Sequence, residues 1–149
     1  MDPNDLFSQA GTAAMTGWLI LLLAPRCWPA LNAVPLWVIP GGLSALYAAL
    51  ALQHFAGATG GGYGSLVEVR LLLASDWGLL AGWVHYLAFD LAVGAVMAAR
   101  MDAAGVTRTA QAPILLSIFL FGPAGFLLAL VTIGAMRAPT FQETRHVHA

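Results

Sequence analysis

The chain has 149 residues, of which 60% are hydrophobic and 9% charged, with six arginines, no lysine, seven acids and a net charge of −1. Soluble domains carry about 25% charged residues, so this composition indicates an integral membrane protein. It excludes a nucleic-acid footprint, which needs a basic patch or stripe. Cys27 is the only cysteine, which excludes an intramolecular disulfide and a cysteine-based metal cluster.

The N-terminus, MDPNDLF, is acidic, and the first apolar run is followed by APRCWPALN without a small-residue cleavage site. It reads as a first membrane span, not a cleaved signal. That span covers about 6–24, long enough for a 30 Å hydrocarbon layer. Pro25 and Pro29 are expected to end it, because proline has no amide hydrogen to continue a helix. Arg26 and Trp28 follow at the interface.

A second span is expected over about 34–56. Pro35 fits a first turn, whereas Pro40 with Gly41 and Gly42 predicts a kink or a delayed start. The glycine-rich stretch 57–65 is a linker and has no lysine after its glycines, so it is not a phosphate loop. Residues 66–74 fit a short interfacial helix in which Glu68 and Arg70, two apart, point to different faces.

A third span covers about 77–99, with Asp76 as its cap and Arg100 at its negative end. A fourth covers about 112–136, with Pro113 in its first turn and Pro123 mid-span, opening the helix near Phe119. The expected fold is therefore all-α: an integral-membrane four-helix bundle in one domain over 1–136, followed by a polar tail over 137–149 whose HVH run is a weak metal motif. Four spans leave both termini on one side. The arginine count that sets orientation is then tied, Arg26, Arg100 and Arg108 against Arg70, Arg137 and Arg145. The first three lie in shorter loops, which tilts the expectation toward termini outside.

The third span holds His85 and Asp90 in its interior, and ionisable groups at membrane depth are functional by default. Five residues apart, they lie about 140° apart around a helix. His85 falls on a stripe of small residues, Gly78, Ala81, Gly82, Ala88 and Ala92, expected to press on a neighbouring helix. Asp90 falls with Trp83, Tyr86 and Met97, and Tyr86, one turn earlier, can donate to it. A cavity entered from the Arg70 side could gather His54, Glu68, Arg70, His85 and Asp90. Such a set could hold a divalent metal through His54, Glu68, His85 and Asp90, or transfer protons between His85 and Asp90. No HExxH motif or histidine repeat is present, and no cofactor is expected. An interfacial role for His54, and a purely structural role for Asp90 paired with Arg70 or Tyr86, are the competing readings.

The run VRLLLASDWGLLAGWVHYLAFDLAVG, the later FLFGPAGFLL and the earlier NAVPLWVIP resemble the ABA4-like family, whose plant members are the abscisic-acid-deficient-four, or neoxanthin synthase, proteins. The resemblance runs from about Asn32 to Leu130. It implies a four-helix membrane protein tied to carotenoid chemistry: an isomerase that opens a 5,6-epoxide and forms an allene with no net redox change. Carried onto this chain, His85 and Asp90 become acid–base candidates and Arg70 a group that steadies the developing alkoxide. Trp83, Tyr86, Phe89, Phe119, Phe121 and Pro123 would line the polyene, with His54, Glu68 and Asp76 in support. The implied partners are membrane lipid and a carotenoid-like apolar ligand, with a second copy or a carotenoid enzyme as a protein partner.

Two departures stand out. The plant members carry a plastid-targeting extension that this sequence does not show. The alanine-, glycine- and leucine-rich composition without lysine looks bacterial, which implies a multi-pass inner-membrane protein. A non-catalytic carotenoid- or lipid-binding accessory subunit and a small proton-coupled transporter are the alternative functions.

Overall fold

The computed structural model describes residues 2–137, and these form helices without strands. The polar tail beyond Arg137, with its HVH run, lies outside the described residues. Three helical stretches are long and apolar enough to cross a membrane: Pro3–Leu23, Pro29–His54 and Asp76–Ala103. The chain divides between Val96 and Met97 into two compact units.

Helix α1 (Pro3–Leu23) starts where the Asp2 carboxylate accepts from the Asn4 amide at 2.8 Å, with Pro3 in the first turn where its missing amide costs nothing. It ends at Ala24, before Pro25. A polar corner follows. Arg26 donates to the Leu21 carbonyl and to Asn32 Oδ1, both at 3.2 Å, and Asn32 donates to the carbonyls of Pro25 and Trp28. Pro29, expected to help end the first span, instead opens the next helix. Helix α2 (Pro29–Ala33), a π-helical turn (Val34–Val38) and α3 (Ile39–His54) run on as one helical length. The irregularity expected at Pro40 thus arrives just before it, as a widened turn in which the Ile39 amide reaches back to Val34 O. A proline at 40 cannot donate to the ladder, and an i→i+5 turn absorbs that mismatch without breaking the helix.

Helix α4 (Leu66–Leu72) is short. Helix α5 (Asp76–Ala103) has 28 residues. Its cap is Ser75, whose hydroxyl accepts from the Gly78 amide at 3.1 Å, so Asp76 is the first helical residue and not the cap. In the first unit α1, α3 and α5 share one core: Ala10 and Ala14, Leu43 and Leu50, and Leu80, Ala81, Val84, Leu87 and Ala88. Close approach of α1 to α5 depends on two glycines. Trp18 lies over Gly94, where an added Cβ would stand 2.5 Å from Cη2, and Leu91 lies over Gly17.

In the second unit, the stretch expected as a fourth span is two helices, α6 (Arg108–Phe121) and α7 (Pro123–Arg137), of 14 and 15 residues. The chain reverses at Gly122, whose φ of 39° is open to glycine and strained for other residues. α7 packs back on α6 so closely that a Cβ on Gly125 would meet the backbone of Ser117 and Ile118. In an unbroken helix, residues seven apart are about 10 Å apart along the axis. The buried positions are Gln111, Ile114, Leu115 and Ile118 on one arm and Gly125, Ala129 and Ile133 on the other. Pro123 is therefore the first residue of α7 and opens no mid-span gap, while Pro113 lies inside α6 and not in its first turn. Gln111, buried, donates to Asp102 Oδ1 at 2.6 Å and to Val106 O at 2.9 Å, which ties the end of α5 to α6.

Candidate functional site

The buried seam of α5 follows Ala81, Val84, Ala88, Leu91, Ala95 and Ala98. With about 100° per residue, His85 falls on one flank of that seam and Asp90 on the other. His85 is therefore beside the packing seam and exposed, not within it.

The His85 flank is an aromatic stack. The imidazole lies 4.7 Å from the Phe89 ring at 25°, and 5.2 Å from Tyr47 of α3 at 60°. Tyr47 meets Phe55 edge-on at 6.5 Å. His54, at the end of α3, stacks almost parallel on Trp77 at 4.9 Å and 4°. Both histidines are thus engaged with aromatic faces that fasten α3 to α5.

The Asp90 flank differs. Tyr86 and Asp90, one turn apart, share a side-chain hydrogen bond. The other contacts of Tyr86 lead away from the seam: it stacks with Trp83 at 5.4 Å, and Trp83 with Phe7 of α1 at 5.7 Å. Asp90 Oδ2 is buried and has no hydrogen-bond partner among the described residues. A buried polar atom without a partner carries a free-energy cost and calls for an explanation.

A cavity of about 550 Å³ adjoins this flank, lined by Pro3, Asn4 and Phe7 of α1, by Leu73, and by Asp76, Leu79, Leu80, Gly82, Trp83 and Tyr86 of α5. Small-molecule pockets span about 300–1,000 Å³. Its wall is mostly apolar, with Asn4, Asp76 and Tyr86 as the residues that carry polar groups. Tyr86 is both wall and hydrogen-bond partner of Asp90, so it connects the carboxylate to the cavity.

The remaining sequence-derived residues lie elsewhere. Glu68 holds its own helix: Ser65 Oγ accepts from the Glu68 amide at 3.2 Å, and the Glu68 carboxylate accepts from the Gly64 amide at 2.9 Å. That is close to a capping box, and the Ser65-x-x-Glu68 spacing before an apolar run is its sequence signal. Arg70 is exposed on α4 and does not line the cavity. Phe89 belongs to the His85 flank. Phe119 and Phe121 belong to α6, where Phe121 is exposed, and Pro123 opens α7. No three of the described His, Cys, Asp and Glu residues form a group able to hold a metal ion. The set His54, Glu68, His85 and Asp90 is not brought together. Sequence reasoning missed Phe7, Asn4 and Leu73, whose role depends on how α1 meets α5.

The ABA4-like family, described as ABA DEFICIENT 4-like, matches residues 5–128. The chain belongs to this family. No curated protein and no solved structure matches it. The matched range runs from Asp5 in the first turns of α1 through α6 and the turn at Gly122 into α7, and so takes in every residue of the cavity wall except Pro3 and Asn4.

Proposed function

We propose that this ABA4-like protein is a multi-pass membrane enzyme that takes the end group of a carotenoid or related isoprenoid into the α1–α5 cavity, where Tyr86 and Asp90 exchange protons with it. The observation that carries this reading is the hydrogen bond between a cavity-wall tyrosine and a carboxylate with a buried, unpartnered oxygen. An apolar wall with few polar groups suits a hydrocarbon ring bearing a single oxygen.

Epoxide opening fits this donor set. The C–O bond breaks, the oxygen takes a proton from the Tyr86 hydroxyl, and a neighbouring C–H gives its proton to the Tyr86–Asp90 pair as a new double bond forms. One proton enters and one leaves, so the reaction is an isomerisation that needs no oxidant or reductant. Asp90 returns a proton to Tyr86 through their hydrogen bond and acts through it. His85, on the opposite flank, fastens helices in this scheme and Arg70 stands outside it.

The nearly apolar wall also favours a second reading, an accessory subunit that binds the same lipid without turnover. Expression in a carotenoid-producing host, followed by pigment chromatography and mass spectrometry of lipid carried by the purified protein, separates the two. Conversion that is lost in Tyr86→Phe while bound isoprenoid persists supports the enzyme. Bound isoprenoid with no altered pigment supports the accessory subunit. Unchanged pigments and no isoprenoid carried by the protein refute both.

A further inference from the structure

The reversal at Gly122 changes the number of times the chain can cross a bilayer. A continuous span over 112–136 would carry Arg137 to the side opposite Arg108. A hairpin returns Arg137 to the side of Arg108, whether its arms of 14 and 15 residues enter the bilayer or rest at its surface. Neither arm reaches the roughly 20 residues that a spanning helix requires. Only the turn 104–107 separates α5 from α6, so Arg108 shares the side of Arg100.

The arginines then sort unequally. Taking α1, the Pro29–His54 length and α5 as the crossings, Arg26, Arg100, Arg108 and Arg137 fall on one side and Arg70 alone on the other. Arg145 lies outside the described residues and cannot reverse this majority. Arginine in short loops and near span ends is retained on the cytoplasmic side. The cavity lies at the opposite end of the crossings, because its wall includes Pro3 and Asn4 at the start of α1 and Asp76 at the start of α5.

We infer that the protein crosses the membrane three times, with its N-terminus and cavity on the non-cytoplasmic side and the end of α7 on the cytoplasmic side. Ligand therefore enters the cavity from the outer leaflet or the compartment beyond it. The statement about ligand rests on the functional reading above; the number and direction of crossings do not.

Cys27 is an exposed, built-in probe, since it lies in the α1–α2 corner beside Arg26. In cells expressing the full chain in a bacterial inner membrane, a membrane-impermeant maleimide leaves Cys27 unlabelled until the membrane is permeabilised. In a Cys27→Ser background, Asn4→Cys at the cavity wall and Tyr63→Cys in the exposed 57–65 linker are labelled in intact cells. Fused after Ala149, alkaline phosphatase is inactive and a fluorescent protein is bright. Labelling of Cys27 in intact cells overturns the direction. Active phosphatase after Ala149 together with a protected Cys27 overturns the hairpin and restores four crossings. The fusions keep the test decisive if a cysteine variant fails to fold. None of these readouts involves ligand, so a correct topology beside absent lipid binding would refute only the functional reading.

Discussion

The two flanks of α5 carry the same kind of sequence signal and put it to different uses. On each, an ionisable residue sits deep in an apolar helix. On the His85 flank the neighbours are flat rings, and the imidazole completes a stack running from Phe55 through Tyr47 to Phe89. On the Asp90 flank the neighbour is a tyrosine that also forms a cavity wall, and one carboxylate oxygen has no hydrogen-bond partner among the described residues. Depth in a membrane helix marks a residue as unusual. What surrounds it on its own side of the helix decides whether it fastens helices or is left open to the proton exchange proposed above.

The most severe way to break the contrast is to remove the seam that separates the flanks. Gly94→Leu places a side chain where the Trp18 ring lies, and overpacking of this kind costs about 1–3 kcal/mol or more. Thermal unfolding of detergent-purified protein, followed by tryptophan fluorescence, should show a clear loss of stability. Gly11→Leu, in an open position, should not.

Tyr86→Phe comes next. It takes away the hydrogen-bond partner of Asp90, and an unsatisfied buried polar group costs about 1–3 kcal/mol. Tyr86→Phe with Asp90→Asn should recover part of that loss, because a neutral amide is cheaper to leave unpaired than a carboxylate. A double-mutant cycle measured by the same unfolding assay checks the coupling. Pigment conversion should vanish in both Tyr86→Phe proteins.

His85→Ala tests the other flank. It removes two ring contacts, worth about 0.5–1.5 kcal/mol, and should leave both pigment conversion and bound lipid unchanged. If conversion disappears while the protein remains folded, the division between the flanks is wrong. Smallest is Glu68→Gln, which keeps an acceptor for the Gly64 amide. A neutral acceptor weakens that bond by an amount within about 0.5 kcal/mol, as is usual for surface changes, and ligand binding measured in parallel should not alter.

These contrasts also mark what the sequence could reveal. The third span was readable because apolar length and a capping region are local properties, although the cap is Ser75 and not Asp76. The Tyr86–Asp90 pairing was readable because residues four apart on a helix are neighbours. The gathering of His54, Glu68 and Arg70 around His85 was not realised. Rotation of α3 and α4 about their axes depends on packing that no single segment encodes. The hairpin was hidden for a different reason. Residues 112–136 contain no charge, and an apolar run of that length has the same composition whether it crosses once or folds in two. Pro123 announced a break but not its angle, which follows from a positive φ at Gly122 and the bare backbone face of Gly125.

That uncharged hairpin has a consequence for how the protein is made. Once α5 has left the ribosome, the next charged residue in the apolar stretch after Arg108 is Arg137. The two arms supply their own backbone hydrogen bonds and close on each other at Gly125. Entry of the finished hairpin into the bilayer therefore drags no arginine through hydrocarbon, a passage that would cost several kcal/mol per charge. On the three-crossing topology inferred above, the hairpin α6–α7 can complete its insertion from the side of synthesis, after the translocation machinery has finished with α5.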